Sequence, residues 1–143
     1  MSAARTLGAL AASVLLAGCF SEHTTVALED VSFALDVAPV LNGSCAFSGC
    51  HDTPNANPGS KPMVLTTAQA YDQIVNVRAA QSTLDRIEPG NPDASYLIHK
   101  LQGTHLSPPA NGSGGRMPAG ANPLAPSVIA MIRQWVTEGA QRN

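Results

Sequence analysis

Five prolines, Pro108, Pro109, Pro118, Pro123 and Pro126, fall within residues 104–126, together with Gly112, Gly114, Gly115 and Gly120. Each proline removes a backbone donor and fixes φ, and each glycine adds freedom that a regular element must give up. No helix or strand can run through such a segment. A connection this long inside a compact domain is either functional or disordered. Residues 51–62 form a shorter stretch of the same kind, rich in Asn, Pro and Gly. Regular structure is thereby confined to short elements between long irregular connections.

The rest of the chain reads as helix. Phe33, Val37, Val40 and Leu41 recur at helical spacing, and Pro39 within them predicts a kink or a new helix starting near Ala38. Asn42-Gly43 offers a stop. Thr66 and Gln69 have the spacing of a capping box, with Leu65 placed to staple against Ala70 and with Tyr71, Ile74 and Val75 on the buried face. Asn91 is a good N-cap ahead of Pro92 and Asp93, for a helix burying Tyr96, Leu97 and Leu101 and ending at Gly103. A last helix from Pro126 or Ser127 carries Val128, Ile132, Trp135 and Val136, and Gly139 marks its end. No strand-like alternation competes. The expected fold class is all-α, and the length fits one domain.

The N-terminus reads as an export segment. One charge, Arg5, precedes an uncharged apolar run from Thr6 to Ala17, too short to span a bilayer as a permanent helix. It ends Leu16-Ala17-Gly18-Cys19, which resembles the lipobox of bacterial lipoproteins, against the plainer reading of an ordinary signal peptide with a chance cysteine. On the lipobox reading, residues 1–18 are a lipoprotein signal peptide and Cys19 is the acylated first residue of the mature chain. Residues 19–31 are then a lipid-anchored tether, and residues 32–143 form the folded domain. Phe20 rather than Asp follows the cysteine, which favours the outer membrane if the host is Gram-negative. Without residues 1–18 the chain keeps seven basic and ten acidic side chains. That balance, with no clustered Lys or Arg, argues against nucleic-acid binding and against a polybasic membrane patch.

The chemistry concentrates in Cys45-Ala46-Phe47-Ser48-Gly49-Cys50-His51. Covalent haem attachment needs two thiols that add across two vinyl groups and a histidine beside the second thiol to ligate the iron. The common spacing is C-x-x-C-H; this one is C-x₄-C-H, and its longer loop must bulge, which the small residues Ala46, Ser48 and Gly49 permit. Three other readings stand beside it: a small-loop disulfide in an exported protein, a zinc site that lacks a fourth ligand, and a redox dithiol without the expected β-α-β surroundings. A six-coordinate haem needs a second axial ligand. Met117, in Gly114-Gly-Arg-Met-Pro-Ala-Gly120, is placed for that by a wrapping loop stiffened by Pro118, rather than on a periodic core face. His105, at the start of the same loop, is the substitute if ligation is bis-histidine. His99 reads as a packed or surface histidine, His23 as solvated in the tether, Met63 as packing beside a porphyrin and Trp135 as core. Arg86 and Arg116 are candidates for a propionate contact.

The ordered set of motifs resembles the single-haem c-type cytochrome domains of exported bacterial lipoproteins, within the broad cytochrome c family. The matching pieces are Asp36-Val-Ala-Pro-Val-Leu41, Cys45 to His51, Ala70-Tyr71, Arg86-Ile-Glu-Pro-Gly-Asn-Pro-Asp-Ala-Ser-Tyr-Leu97, Arg116-Met-Pro118 and Ile132-Arg-Gln-Trp-Val-Thr-Glu-Gly-Ala140, covering residues 33–140. The resemblance implies a small helical cytochrome c-like domain wrapped around one covalently attached haem c. It implies thioethers at Cys45 and Cys50, His51 as proximal ligand and Met117 as distal ligand.

The expected function is single-electron transfer rather than catalysis, by a cytochrome lipid-anchored at the cell envelope and facing the periplasm. Its partners are then periplasmic or membrane redox proteins as donor and acceptor. The alternatives are a peroxidase-like haem enzyme or sensor with a vacant or labile distal position, and a non-haem lipoprotein with a structural Cys45–Cys50 disulfide.

Overall fold

The computed structural model describes residues 30–54 and 63–143. The export segment, Cys19 and His23 lie outside the described residues. Within them the chain is all-α. It has four α-helices, α1 (Ala38–Cys45), α2 (Ala70–Ile74), α3 (Tyr96–Gln102) and α4 (Pro126–Thr137). Extended pairing among the described residues is limited to isolated bridges, Val75 with Ile87, Arg78 with Asp85 and Asp85 with Ser95.

Of the two outcomes that Pro39 allowed, the structure shows a new helix starting at Ala38. A π-helical turn, Phe33–Val37, leads into α1, which starts at Ala38 with Pro39 in its first turn. There the missing N–H leaves no bond unmade, and the wider turn before it relieves the clash of the ring with an upstream carbonyl. Ser32 caps the turn: its Oγ accepts the Leu35 N–H at 3.2 Å, and Asp36 Oδ2 accepts the Ser32 N–H at 2.9 Å.

The second helix is shorter than its capping signal implied. Thr66 Oγ1 donates to Gln69 Oε1 at 3.4 Å, so those side chains satisfy one another rather than the backbone. The chain enters through a turn, and α2 begins only at Ala70. Val75 is already extended and bridged to Ile87, so the buried face of α2 is Ala70 and Ile74, with Tyr71 half-buried beside them. Asn91 caps, through Ala94 N–H at 3.1 Å, a single 3₁₀ turn (Pro92–Ala94) rather than α3 itself. The sequence placed both ends of α4 and the Gly103 end of α3 correctly.

The core is one continuous apolar cluster in which α1 packs on α2 and α3 packs on α4. Three of the six aromatic residues meet at its centre. Phe33 lies 5.1 Å from Tyr71 and 5.3 Å from Trp135, centroid to centroid. Trp135 is fully buried, and its Nε1–H donates to the Gln141 carbonyl at 2.9 Å. The Tyr71 hydroxyl donates to the Ala140 carbonyl at 3.0 Å, so the segment after α4 folds back over the aromatic group.

Residues 104–125 contain no helix, yet they are ordered against α3. At Gly112 the backbone runs so close to the Tyr96 ring that a Cβ would overlap it, which only glycine tolerates. Ala79, Tyr96 and Ala110 form a small second apolar cluster beneath this loop.

Candidate functional site

Two of the extra residues between the cysteines go into a turn. Cys50 N–H bonds to the Phe47 carbonyl at 2.9 Å, and Gly49 takes φ +81°, a conformation costly for a side chain with a Cβ. His51 N–H then bonds back to the Cys45 carbonyl at 3.1 Å. The bulge therefore draws the histidine back toward the first cysteine despite the longer spacing. Both thiols are free, so no disulfide joins them; Cys45 is buried and Cys50 exposed. Burial, with the Cys50 thiol nearby, pushes the Cys45 thiol up to about 11, so it stays protonated at neutral pH.

His51 is held by its other nitrogen. Nδ1–H donates to the Met63 carbonyl at 3.1 Å, which leaves the Nε2 lone pair available to a ligand. Burial is the largest cause lowering its pKa, partly opposed by that bond and reinforced by the Arg86 charge. The ring is therefore neutral, the form a metal requires.

These residues line one cavity of about 370 Å³, within the range of small-ligand and cofactor sites. Its wall combines the end of α1, the bulge with Cys45, Cys50 and His51, then Met63 and Leu65, Leu97 and Leu101 from α3, and the segment from Met117 to Leu124. Leu97 and Leu101 are four apart and present adjacent apolar surfaces to the space. Among the described residues no charged side chain lines it. Such a wall suits an apolar ligand, with sulfur and imidazole groups among its lining residues.

The sequence candidates divide clearly. Cys45, Cys50, His51, Met63 and Met117 come together on the cavity wall, and His105 does not. His105 is 3% exposed, and its Nε2–H is spent on the Gly114 carbonyl at 2.8 Å. His99 is a packed residue, as expected, with both nitrogens engaged by Thr104 Oγ1 and the Asp93 carbonyl. Arg86 does not line the cavity. It is buried, and its Nη1 donates to the Gln73 carbonyl at 2.7 Å. Arg116 stands behind Ala121, a wall residue, and donates to its carbonyl through Nη2 at 3.0 Å; its Nη1 is buried without a partner. Phe47, exposed at the lip, and Leu124 were not singled out from sequence. Leu124 had a signal, as the one large aliphatic residue between Pro118 and Pro126.

Among the described residues no group of three or more His, Cys, Asp or Glu side chains is placed to hold a metal ion by itself. The zinc reading thus finds no completed ligand set. No helix of the described residues is long and apolar enough to cross a membrane. No protein-family model, no curated protein and no solved structure matches the chain.

Proposed function

We propose that the protein is a membrane-anchored monohaem c-type cytochrome that passes single electrons between redox partners. One observation carries the reading: Met117, 66 residues after the Cys45–His51 segment, lines the same largely apolar cavity as Cys45, Cys50 and His51. The residues present fit a covalently held haem. Cys45 and Cys50 would hold it through thioethers, and conversion of Cys45 removes a buried polar thiol. His51 Nε2 and the Met117 thioether would be its iron ligands. Arg116, bonded to the carbonyl of the wall residue Ala121, would bring a positive charge near the wall for a propionate.

When bound, the haem supplies reversible one-electron chemistry at its iron. The chain supplies the rest. The Met63 carbonyl fixes the His51 ring and raises its donor strength. With an imidazole and a thioether both committed, no position is left for substrate, which favours electron transfer over peroxidase-like chemistry. Met/His ligation also sets a higher reduction potential than bis-histidine ligation. Leu65, Leu97 and Leu101 exclude water from the interior, while exposed Cys50 and Phe47 leave one edge open to a redox partner. Periplasmic or membrane redox proteins are the partners that this reading calls for.

The purified mature protein in alkaline pyridine is expected to show the spectrum of a covalently attached haem; a spectrum without haem defeats the proposal. The ferric wild type is expected to show the Met–iron charge-transfer band, and Met117→Ala to abolish it. A band that survives the substitution removes Met117 as ligand. For the anchor, Cys19→Ser is expected to move the protein from the membrane fraction to the soluble fraction. Continued retention counts against lipid attachment.

A further inference from the structure

The loop that carries Met117 is gripped by side chains that take no part in the cavity wall. Tyr96 and Lys100 lie one turn apart on α3, beside the Leu97 and Leu101 pair, and each is 6% exposed. Their polar ends converge on one residue, Ser113. The Tyr96 hydroxyl donates to the Ser113 carbonyl at 3.2 Å and accepts the Ser113 N–H at 3.3 Å. Lys100 Nζ donates to the same carbonyl at 3.1 Å. His105 secures the next residue, Gly114, and its own carbonyl accepts the Gly112 N–H at 2.7 Å. The grip is passed on directly, because Met117 N–H bonds to the Lys100 carbonyl at 2.9 Å.

We infer that Tyr96, Lys100 and His105 are the positioning residues of Met117, Tyr96 and Lys100 anchoring Ser113 to α3 and His105 tying Gly114 to the start of the loop, so that the thioether stays on the cavity wall. The inference rests on the reading of Met117 as the distal haem ligand. A segment with glycine at 112, 114 and 115 loses more backbone entropy on ordering than one with side chains at those positions. Burying an ammonium and an imidazole against backbone carbonyls is costly unless the bonds they make are needed. Here both bonds end on the loop that carries Met117, at Ser113 and Gly114. His105 is thereby given a role different from the ligand role that its place in the sequence suggested.

Cyanide titration of the ferric holoprotein tests this, because cyanide must displace the distal ligand. Tyr96→Phe keeps the ring that packs on Gly112 and removes both hydroxyl bonds to Ser113. It is expected to raise apparent cyanide affinity about tenfold, the effect of about one hydrogen bond. His105→Ala is expected to act in the same direction, and His105→Gln, which restores a donor toward the Gly114 carbonyl, to recover part of the loss. Ile132→Val, in the core of α4 and off the cavity wall, is expected to lower thermal stability without changing cyanide affinity. Wild-type affinity in both Tyr96→Phe and His105→Ala overturns the inference, as does an equal gain in Ile132→Val. A wild type with covalent haem but no Met–iron band overturns the ligand reading instead, and this inference falls with it.

Discussion

The double variant Cys45→Ala/Cys50→Ala is expected to be purified without covalent haem and to melt far below the wild type, while each single variant keeps haem through one thioether. The size of the effect follows from the cavity. A fully sealed void of about 370 Å³ would cost about 9 kcal/mol at ~24 cal/mol per Å³; because this cavity is open at its lip, that figure is an upper bound. That is comparable with the whole stability of a domain this size, about 5–15 kcal/mol. Water entering at the lip reduces the cost, but the inner wall of Leu65, Leu97 and Leu101 gains nothing from water. The apo chain must therefore collapse onto the space or lose cooperative folding. Holoprotein and double variant are compared by thermal unfolding and by near-UV circular dichroism. A double variant with the melting temperature of the holoprotein shows that the cavity is no structural burden, and with it the argument for a built-in cofactor weakens. The two single variants differ as well. Cys45 is buried at the end of α1, where alanine leaves a small void, whereas Cys50 is exposed and its loss costs little packing.

What the sequence made legible is what short-range chemistry dictates. The adjacency of Cys50 and His51 needs no folding to establish, and small residues between the cysteines announced the bulge that Gly49 makes. Pro126 and Gly103 are backbone signals that act whatever packs against them. The features that sequence missed depend on long-range partners. Val75 belonged by spacing to the face of α2, but its bridge to Ile87 takes it out of the helix. Thr66 and Gln69 had the right spacing for a capping box and instead bond each other. His105 had the right loop and residue type for a ligand. Only the fold reveals that its Nε2–H is committed to a carbonyl nine residues away. A spacing argument lists which groups can meet; burial and hydrogen-bond commitments decide which ones are left over to react.

Trp135→Ala is expected to destabilise the folded domain by about 3–5 kcal/mol, the range for removing a fully buried large aromatic side chain. For a domain of this size that corresponds to a fall in melting temperature of roughly 15–25 °C. Three losses combine there: the indole volume, the contacts to Phe33 and Tyr71, and the Nε1–H bond to Gln141. Trp135→Phe keeps an aromatic ring and loses the bond and part of the volume, so its cost is expected nearer 1–2 kcal/mol. Denaturant unfolding of the holoprotein measures both. Trp135 is part of the same apolar cluster as Cys45, Leu97 and Leu101 but is not on the cavity wall. Trp135→Phe should therefore leave the haem spectrum and the Met–iron band of the folded protein at their wild-type positions. If that variant shifts the band while remaining folded, the aromatic group does more than support α4: it sets the geometry of the distal loop, and core and site would have to be treated as one unit.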